Sequence, residues 1–324
     1  MWRLWVPGQR RVKPVARRRP SRLHSPPVKS AFPKYLAERF PVGPYSVLIA
    51  AMLAGITAAS CDGAGRPLTF GVAQLAAFLT LLLGFFHLRV FDEHKDYDKD
   101  LVAHPDRVLS RGLITLRELR VAGGVAIALE FGLNAPFGFA ALGWVTAFVL
   151  FSVAMRYEFG VGAWLNRHLV VYALTHNPIV ALMMLYAASV SSGALTSGPV
   201  LGFVGVATFT SLGFEVGRKL RAPDDEKTGQ DTYTAALGIP GAVFLLIVVL
   251  WGAGGAATFV AQTLWGRSIV SVAGLFGIVT AVMFASQQTR KAAKLAETGS
   301  TLAALIMYVT IAADVAARRG ILWS

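Results

Sequence analysis

The sequence predicts an all-α integral membrane protein: nine transmembrane helices bundled around a central cavity, with two acidic loops on one side. Three observations predict it. Of 324 residues, 55% are hydrophobic and only 15% charged, with a mean hydropathy of +0.55, whereas a soluble domain carries roughly a quarter charged residues. Apolar runs of membrane-crossing length, about 17–25 residues, recur from residue 42 to the end. Finally, 27 of the 31 Lys and Arg fall on one side of the nine-span pattern.

The chain divides into a basic tail over 1–40, a nine-helix domain over 41–319 and a short C-terminal tail over 320–324. Residues 1–39 hold 11 Lys or Arg, including Arg17-Arg18-Arg19, against the single acid Glu38. A net charge of +13 would suggest nucleic acid in a soluble protein. Here the positive charge leads into a hydrophobic helix, as expected of a cytoplasmic tail beside anionic lipid, and no nucleic-acid partner is expected. With six prolines, the tail reads as disordered. A transit peptide would also be Arg-rich and acid-poor, but it needs an amphipathic helix that this proline density opposes. Cys61 is the only cysteine, so an internal disulfide or a cysteine-rich metal site is excluded.

The spans fall near 42–60, 68–88, 117–133, 137–155, 168–188, 199–217, 239–260, 268–286 and 301–317. Asn134-Ala135-Pro136 separates the third from the fourth, where Asn and Pro favour a tight hairpin over one long helix. With the amino end in the cytoplasm, the even-numbered loops hold the basic residues. Only Arg66, Arg267, Arg318 and Arg319 lie opposite. The positive-inside rule then sets the orientation, and the expected location is a bacterial inner (cell) membrane.

Twelve of the 18 acids cluster in two of these loops, over 92–118 and 215–231. They lie four helices apart, which suggests an internal repeat. In the first, Asp92, Asp96 and Asp100 stack on one helical face at i, i+4, i+8, and Glu93 joins them. Like charges at that spacing repel by a few tenths of a kcal/mol per pair. A hard divalent cation reverses the sign: Mg²⁺ binds one or two carboxylates and fills its other positions with water and substrate phosphate. A solvated helix end balanced by Lys95 and Lys99 is the plainer reading.

In the second loop, Arg218, Lys219 and Arg221 precede Asp224, Asp225 and Glu226. The basic side chains can bind phosphate oxygens, Arg in bidentate fashion, while the acids hold metal. The same three can instead complement a helix C-terminus. Together the two loops describe a diphosphate site. Further along, His176 and Asn177 lie within the fifth span before Pro178. Intramembrane polar residues are candidates for substrate binding, and Pro178 frees a carbonyl near residue 174, as in a broken helix beside a cavity. Tyr157 and Glu158 could reach the same mouth, although a surface position suits them better.

Over residues 40–317 the chain resembles the UbiA-like intramembrane prenyltransferases, a family with nine helices and two aspartate-rich cytoplasmic motifs. The first motif, Asn/Asp-Asp-x-x-Asp-x-x-x-Asp, matches Asp92-Glu93-x-x-Asp96-x-x-x-Asp100, and His104-Pro105-Asp106-Arg107 with Ser110-Arg111-Gly112 resembles its continuation. The second departs. Counting back from Gly229 and Thr232 puts Asp225 at its second aspartate and Arg221 at its first, and no acidic i, i+4 pair exists in 211–231. Glu215, Asp224 or Glu226 could substitute.

The resemblance implies Mg²⁺-dependent transfer of a prenyl group from an isoprenoid diphosphate to a hydrophobic or aromatic acceptor, among membrane lipid. It implies a metal site at Asp92, Glu93, Asp96, Asp100, Asp224 and Asp225. Arg107, Arg111, Arg218, Lys219 and Arg221 would bind diphosphate, with Lys219 and Arg221 catalytic in neutralising the leaving group. Glu215, His176 and Asn177 would bind substrate. Other readings are a terpene cyclase of the same fold, a non-catalytic isoprenoid-binding relative and a transporter. A membrane alcohol phosphotransferase is excluded by the absence of its Asp-Gly-x-x-Ala-Arg pattern.

Overall fold

The computed structural model of the chain describes residues 28–226 and 231–323. The described residues are almost wholly helical, as lipid requires of a backbone with no water to satisfy its polar groups. An amphipathic helix α1 (Val28–Arg39) precedes α2 (Val42–Gly63). Strand β1 (Leu68–Phe70) leads to α3 (Val72–Lys95) and the short α4 (Tyr97–Ala103). Then come α5 (Leu116–Asn134), α6 (Gly138–Arg156), the one-turn α7 (Gly162–Leu165), α8 (Leu169–His176) and α9 (Pro178–Ser191). The chain ends with α10 (Gly198–Arg218), α11 (Tyr233–Val260), α12 (Leu264–Gln287), α13 (Arg290–Arg319) and strand β2 (Ile321–Trp323).

Among the described residues, eight stretches are long and apolar enough to cross a membrane. One of them, Leu116–Arg156, has 41 residues, about 60 Å of helix against a hydrocarbon core of about 30 Å. It is broken where Gly138 takes φ +84°, and its two arms α5 and α6 pack against each other. The third and fourth expected spans fall on these two arms, α5 and α6, within this one stretch.

Two expectations change at the ends. Val28–Arg39 is helical where a disordered tail to residue 40 was expected; residues 1–27, with the Arg17–Arg19 run, lie outside the described residues. The reason is apolar content: Ala31, Tyr35 and Phe40 are buried against Phe86, Val90, Leu109 and Leu119. At the other end, Leu68–Phe70, expected to open the second span, is instead a strand that pairs in parallel with Ile321–Trp323.

The core joins α2, α3, α6, α9, α10 and α13 around Ile56, Leu81, Phe148, Met183, Phe203 and Met307. Small residues let these helices approach. A Cβ added at Gly55 would overlap the ring of Phe203, which is fully buried. Gly55→Ala is therefore expected to destabilise the protein by about 1–3 kcal/mol, measured as a lowered unfolding temperature in detergent.

Polar groups inside the bundle are tied to one another. His87 Nδ1 lies 2.7 Å from Glu130 and its Nε2 3.0 Å from Ser152 Oγ. The Ser152 hydroxyl in turn donates to the Val149 carbonyl. Nearby, Tyr186 donates to Asn134 and Asn134 to Thr80, both at 2.8 Å. These contacts pin α3 to α5, α6 and α9. At the end of the bundle away from the acidic loops, Arg318 forks onto Asp62 at 2.9 and 3.0 Å and reaches Asp314 at 2.9 Å. Asp314 also accepts from the backbone of Gln262 and Thr263. The charges at this end are thus a clamp across α2, α13 and the α11–α12 turn.

Candidate functional site

The acidic loops meet at one end of the bundle. There a hollow of about 90 Å³ is lined by Asp96 and Lys99 of the first loop and by Lys219 and Asp231 of the second, with Glu158, Asn166 and Tyr172 between them. Residues more than a hundred positions apart in sequence thereby face one space. A larger apolar groove, about 390 Å³, lies toward the opposite end between α2, α3 and Trp323. No charged side chain lines it, so the groove offers no ionic partner to a diphosphate. The chemistry belongs to the smaller, charged hollow.

The structure splits the four acids of the first motif into two pairs. Glu93 is buried and accepts from Arg39 at 2.6 Å. Asp100 pairs with Arg107, with Arg39 a further 3.6 Å away. The helix α1 supplies that arginine, and its Glu38 accepts from the Val108 N–H at 3.2 Å. Two of the residues expected to ligate metal thus bind α1 and the 104–114 loop to the end of α3. Arg107, expected on diphosphate, is engaged with Asp100; Arg111 is exposed on the same loop.

Asp92 and Asp96 remain toward the mouth. Asp92 is half exposed, 3.6 Å from Arg89 and 3.7 Å from Lys95. Asp96 ends α3. Burial pushes its carboxyl up from the usual carboxylate range; Lys95 and Lys99 pull it back, and Asp92 and Asp100 push it further. Such a carboxyl gains most from an arriving cation. Lys95 donates to the Tyr172 hydroxyl.

In the second loop Glu215 is held by Lys219 at 2.8 Å and by Arg218. The Arg221 guanidinium turns back onto the carbonyls of Leu220 and Arg218, at 2.7 and 2.9 Å. It caps the end of α10 rather than facing the hollow. Arg221→Ala should accordingly leave donor affinity within about twofold, since its guanidinium is engaged outside the hollow; titration with an isoprenoid diphosphate checks this. Glu226 accepts from the hydroxyls of Thr232, at 2.8 Å, and Thr234, fixing the start of α11, where Thr232 is the N-cap. Asp224 and Asp225 lie on the turn Pro223–Asp225. Gly229, used to align this loop, lies outside the described residues.

His176 stacks on Tyr172 at 3.9 Å, with its Nδ1–H on the Tyr172 carbonyl at 2.8 Å, so it backs the ring that lines the hollow. Asn177 donates to the Thr208 carbonyl at 3.0 Å and ties the α8–α9 junction to α10. Glu158, expected at the surface, lines the hollow instead. It sits in a turn where Glu158, Phe159 and Gly160 all have positive φ, strained for the first two, and accepts from Asn166 at 3.1 Å. Asn166 and Tyr172 carry no signal in the sequence: nothing in their spacing separates them from ordinary interfacial residues.

Among the described residues no three of His, Cys, Asp and Glu converge as a metal cage. The requirement for Mg²⁺ is smaller: one or two carboxylates beside a phosphate. Carboxylates and ammonium groups on one small hollow fit a single hard cation bound together with an anion, and not a cage built of protein ligands alone.

No protein-family model matches the chain, and no curated protein matches it. Two solved structures do, at the level of fold. An apo UbiA homolog from Aeropyrum pernix K1 superposes with a TM-score of 0.63 at 14% identity, covering 85% of this chain and 98% of its own. A membrane digeranylgeranylglyceryl phosphate synthase superposes with a TM-score of 0.61 at 14% identity, covering 88% and 99%. The protein shares the fold of these two structures over most of its length.

Proposed function

We propose that the protein transfers a prenyl group from an isoprenoid diphosphate to an apolar or aromatic acceptor within the membrane, with Mg²⁺ as cofactor. The observation that carries this reading is the meeting of the two charged loops, from opposite halves of the chain, at one hollow in a fold shared with a UbiA homolog and a prenyl-lipid synthase. Of the first motif, Asp96, which lines the hollow, would hold the ion. A bound Mg²⁺ would neutralise charge on the diphosphate and so favour its departure.

The chain's own groups do the rest. Lys99 and Lys219 line the hollow and take phosphate oxygens, stabilising the negative charge that builds as the allylic C–O bond breaks. The electron pair of that bond leaves with the diphosphate. Leu165 and Leu169, the apolar residues of the hollow, would help keep water from the allylic cation. Acceptor electrons then form the new bond, and the acceptor's proton passes to solvent at the mouth. The Tyr172–His176 stack stands beside the hollow as the surface an aromatic acceptor can face. The acidic end lies in the cytoplasm in this reading, where soluble diphosphates are found.

The test is a mass spectrum of lipids from a bacterial host making either the protein or its Asp96→Ala variant. A lipid heavier by whole isoprene units, present only with the intact protein, is the expected result. Identical lipid profiles, with both proteins shown to be inserted, would reject the reading.

A further inference from the structure

We infer that Asp231 is the metal carboxylate of the second loop, and that one divalent cation bridges Asp96 and Asp231 across the hollow. The inference rests on the reading of this hollow as a diphosphate site. It begins from a shortage. Where the resemblance would put the first aspartate of the second motif the chain has Arg221, and that guanidinium is engaged with two backbone carbonyls.

The neighbouring acids are mostly committed elsewhere. Glu215 is paired with Arg218 and Lys219, and Glu226 is bound by the Thr232 and Thr234 hydroxyls. Asp224 and Asp225 stand on their turn and are not among the described residues that line the hollow. Asp231 does line it, together with Asp96, Lys99 and Lys219.

Its position explains how it gets there. Asp231 immediately precedes Thr232, whose side chain accepts from the Ala235 N–H as the N-cap of α11. The cap fixes where the helix begins, and thereby where the residue before it stands. An acid at this point can take the place vacated at residue 221 without any change to α10. Each loop then gives one carboxylate, within the one or two that Mg²⁺ takes from protein, leaving its other positions to water and phosphate. The two lysines supply positive charge that a second metal would otherwise bring.

The experiment is equilibrium dialysis of Mn²⁺ against the full-length protein in nanodiscs, with and without inorganic diphosphate. The proteins compared are wild type, Asp231→Asn, Asp231→Glu and Asp225→Asn. The expected result is one tightly bound Mn²⁺ per wild-type chain that depends on diphosphate. Asp231→Asn should weaken it by about tenfold or more, Asp231→Glu should recover part of the loss, and Asp225→Asn should stay within about twofold. Asp231→Asn binding like wild type, or Asp225→Asn losing the ion, would overturn the role of Asp231 while leaving the diphosphate site standing. Two ions per wild-type chain would overturn the single bridge. No diphosphate-dependent Mn²⁺ in the wild type would reject the diphosphate reading itself.

Discussion

Replacing Asp96 with Ala is expected to lower turnover by at least about a hundredfold, the scale of losing one electrostatic partner of a transition state. The effect should fall on chemistry and donor binding and not on folding. Asp96 lies at the end of α3, among Asp92, Asp100, Lys95 and Lys99. Its burial disfavours its own charge, so in the metal-free protein its removal costs little and can even stabilise. Ligand linkage separates the two states: Mg²⁺ plus an isoprenoid diphosphate should raise the unfolding temperature of the wild type and do so far less for Asp96→Ala. Equal shifts in both would leave Asp96 without a role in the site.

Arg39→Ala should act in the opposite way, on stability first. Arg39 bridges two acids, Glu93 at 2.6 Å and Asp100 at 3.6 Å. The Glu93 side chain is 1% exposed, so cutting Arg39 leaves a buried carboxylate without its partner. Removing one member of such a pair costs about 3–5 kcal/mol, enough to lower the unfolding temperature markedly. The double variant Arg39→Ala, Glu93→Gln should recover much of that loss, because no uncompensated charge is then buried. If the single variant is as stable as wild type, the first helix is not what holds the end of α3. The contrast also separates the acids of the first motif: Asp100→Ala, which frees both Arg107 and Arg39, should lose stability as well as activity, whereas Asp96→Ala should lose activity alone.

The fold was readable because membrane helices announce themselves by length. The ends predicted from apolar runs differ from those observed mainly where polar helix extends beyond hydrocarbon, as at Arg290–Arg319, whose first turn is charged. The broken pair α5 and α6 was legible at Asn134–Pro136, although the residue that bends the backbone is Gly138. Strand β1 was not legible: Leu68–Phe70 is apolar enough to open a helix, and its partner lies some 250 residues away.

The site was half readable. The i, i+4, i+8 spacing placed Asp92, Asp96 and Asp100 on a common face, yet spacing cannot say what approaches that face. Arg39 comes from a helix expected to be disordered, and it claims Glu93 and part of Asp100. Arg221 showed the same ambiguity in sequence between phosphate binding and helix capping, and in the structure its donors go to carbonyls. Asp231 is one of the clustered acids in sequence, but no spacing there ties it to the first loop; its place on the hollow does. Glu158 reads in sequence as a surface residue near the mouth, and the left-handed turn at Glu158–Gly160, not visible in sequence, accompanies its place on the hollow.

The most direct measurement is release of diphosphate from geranylgeranyl diphosphate by the purified protein in nanodiscs, with a membrane lipid extract as the source of acceptor. Release should require Mg²⁺, should stop on chelation and return on its restoration, and should be accompanied by the prenyl group appearing in lipid. Asp96→Ala should release almost none. If donor remains intact at every Mg²⁺ concentration while the protein stays folded, the chain does not cleave isoprenoid diphosphates, and the two charged loops serve some purpose other than prenyl transfer.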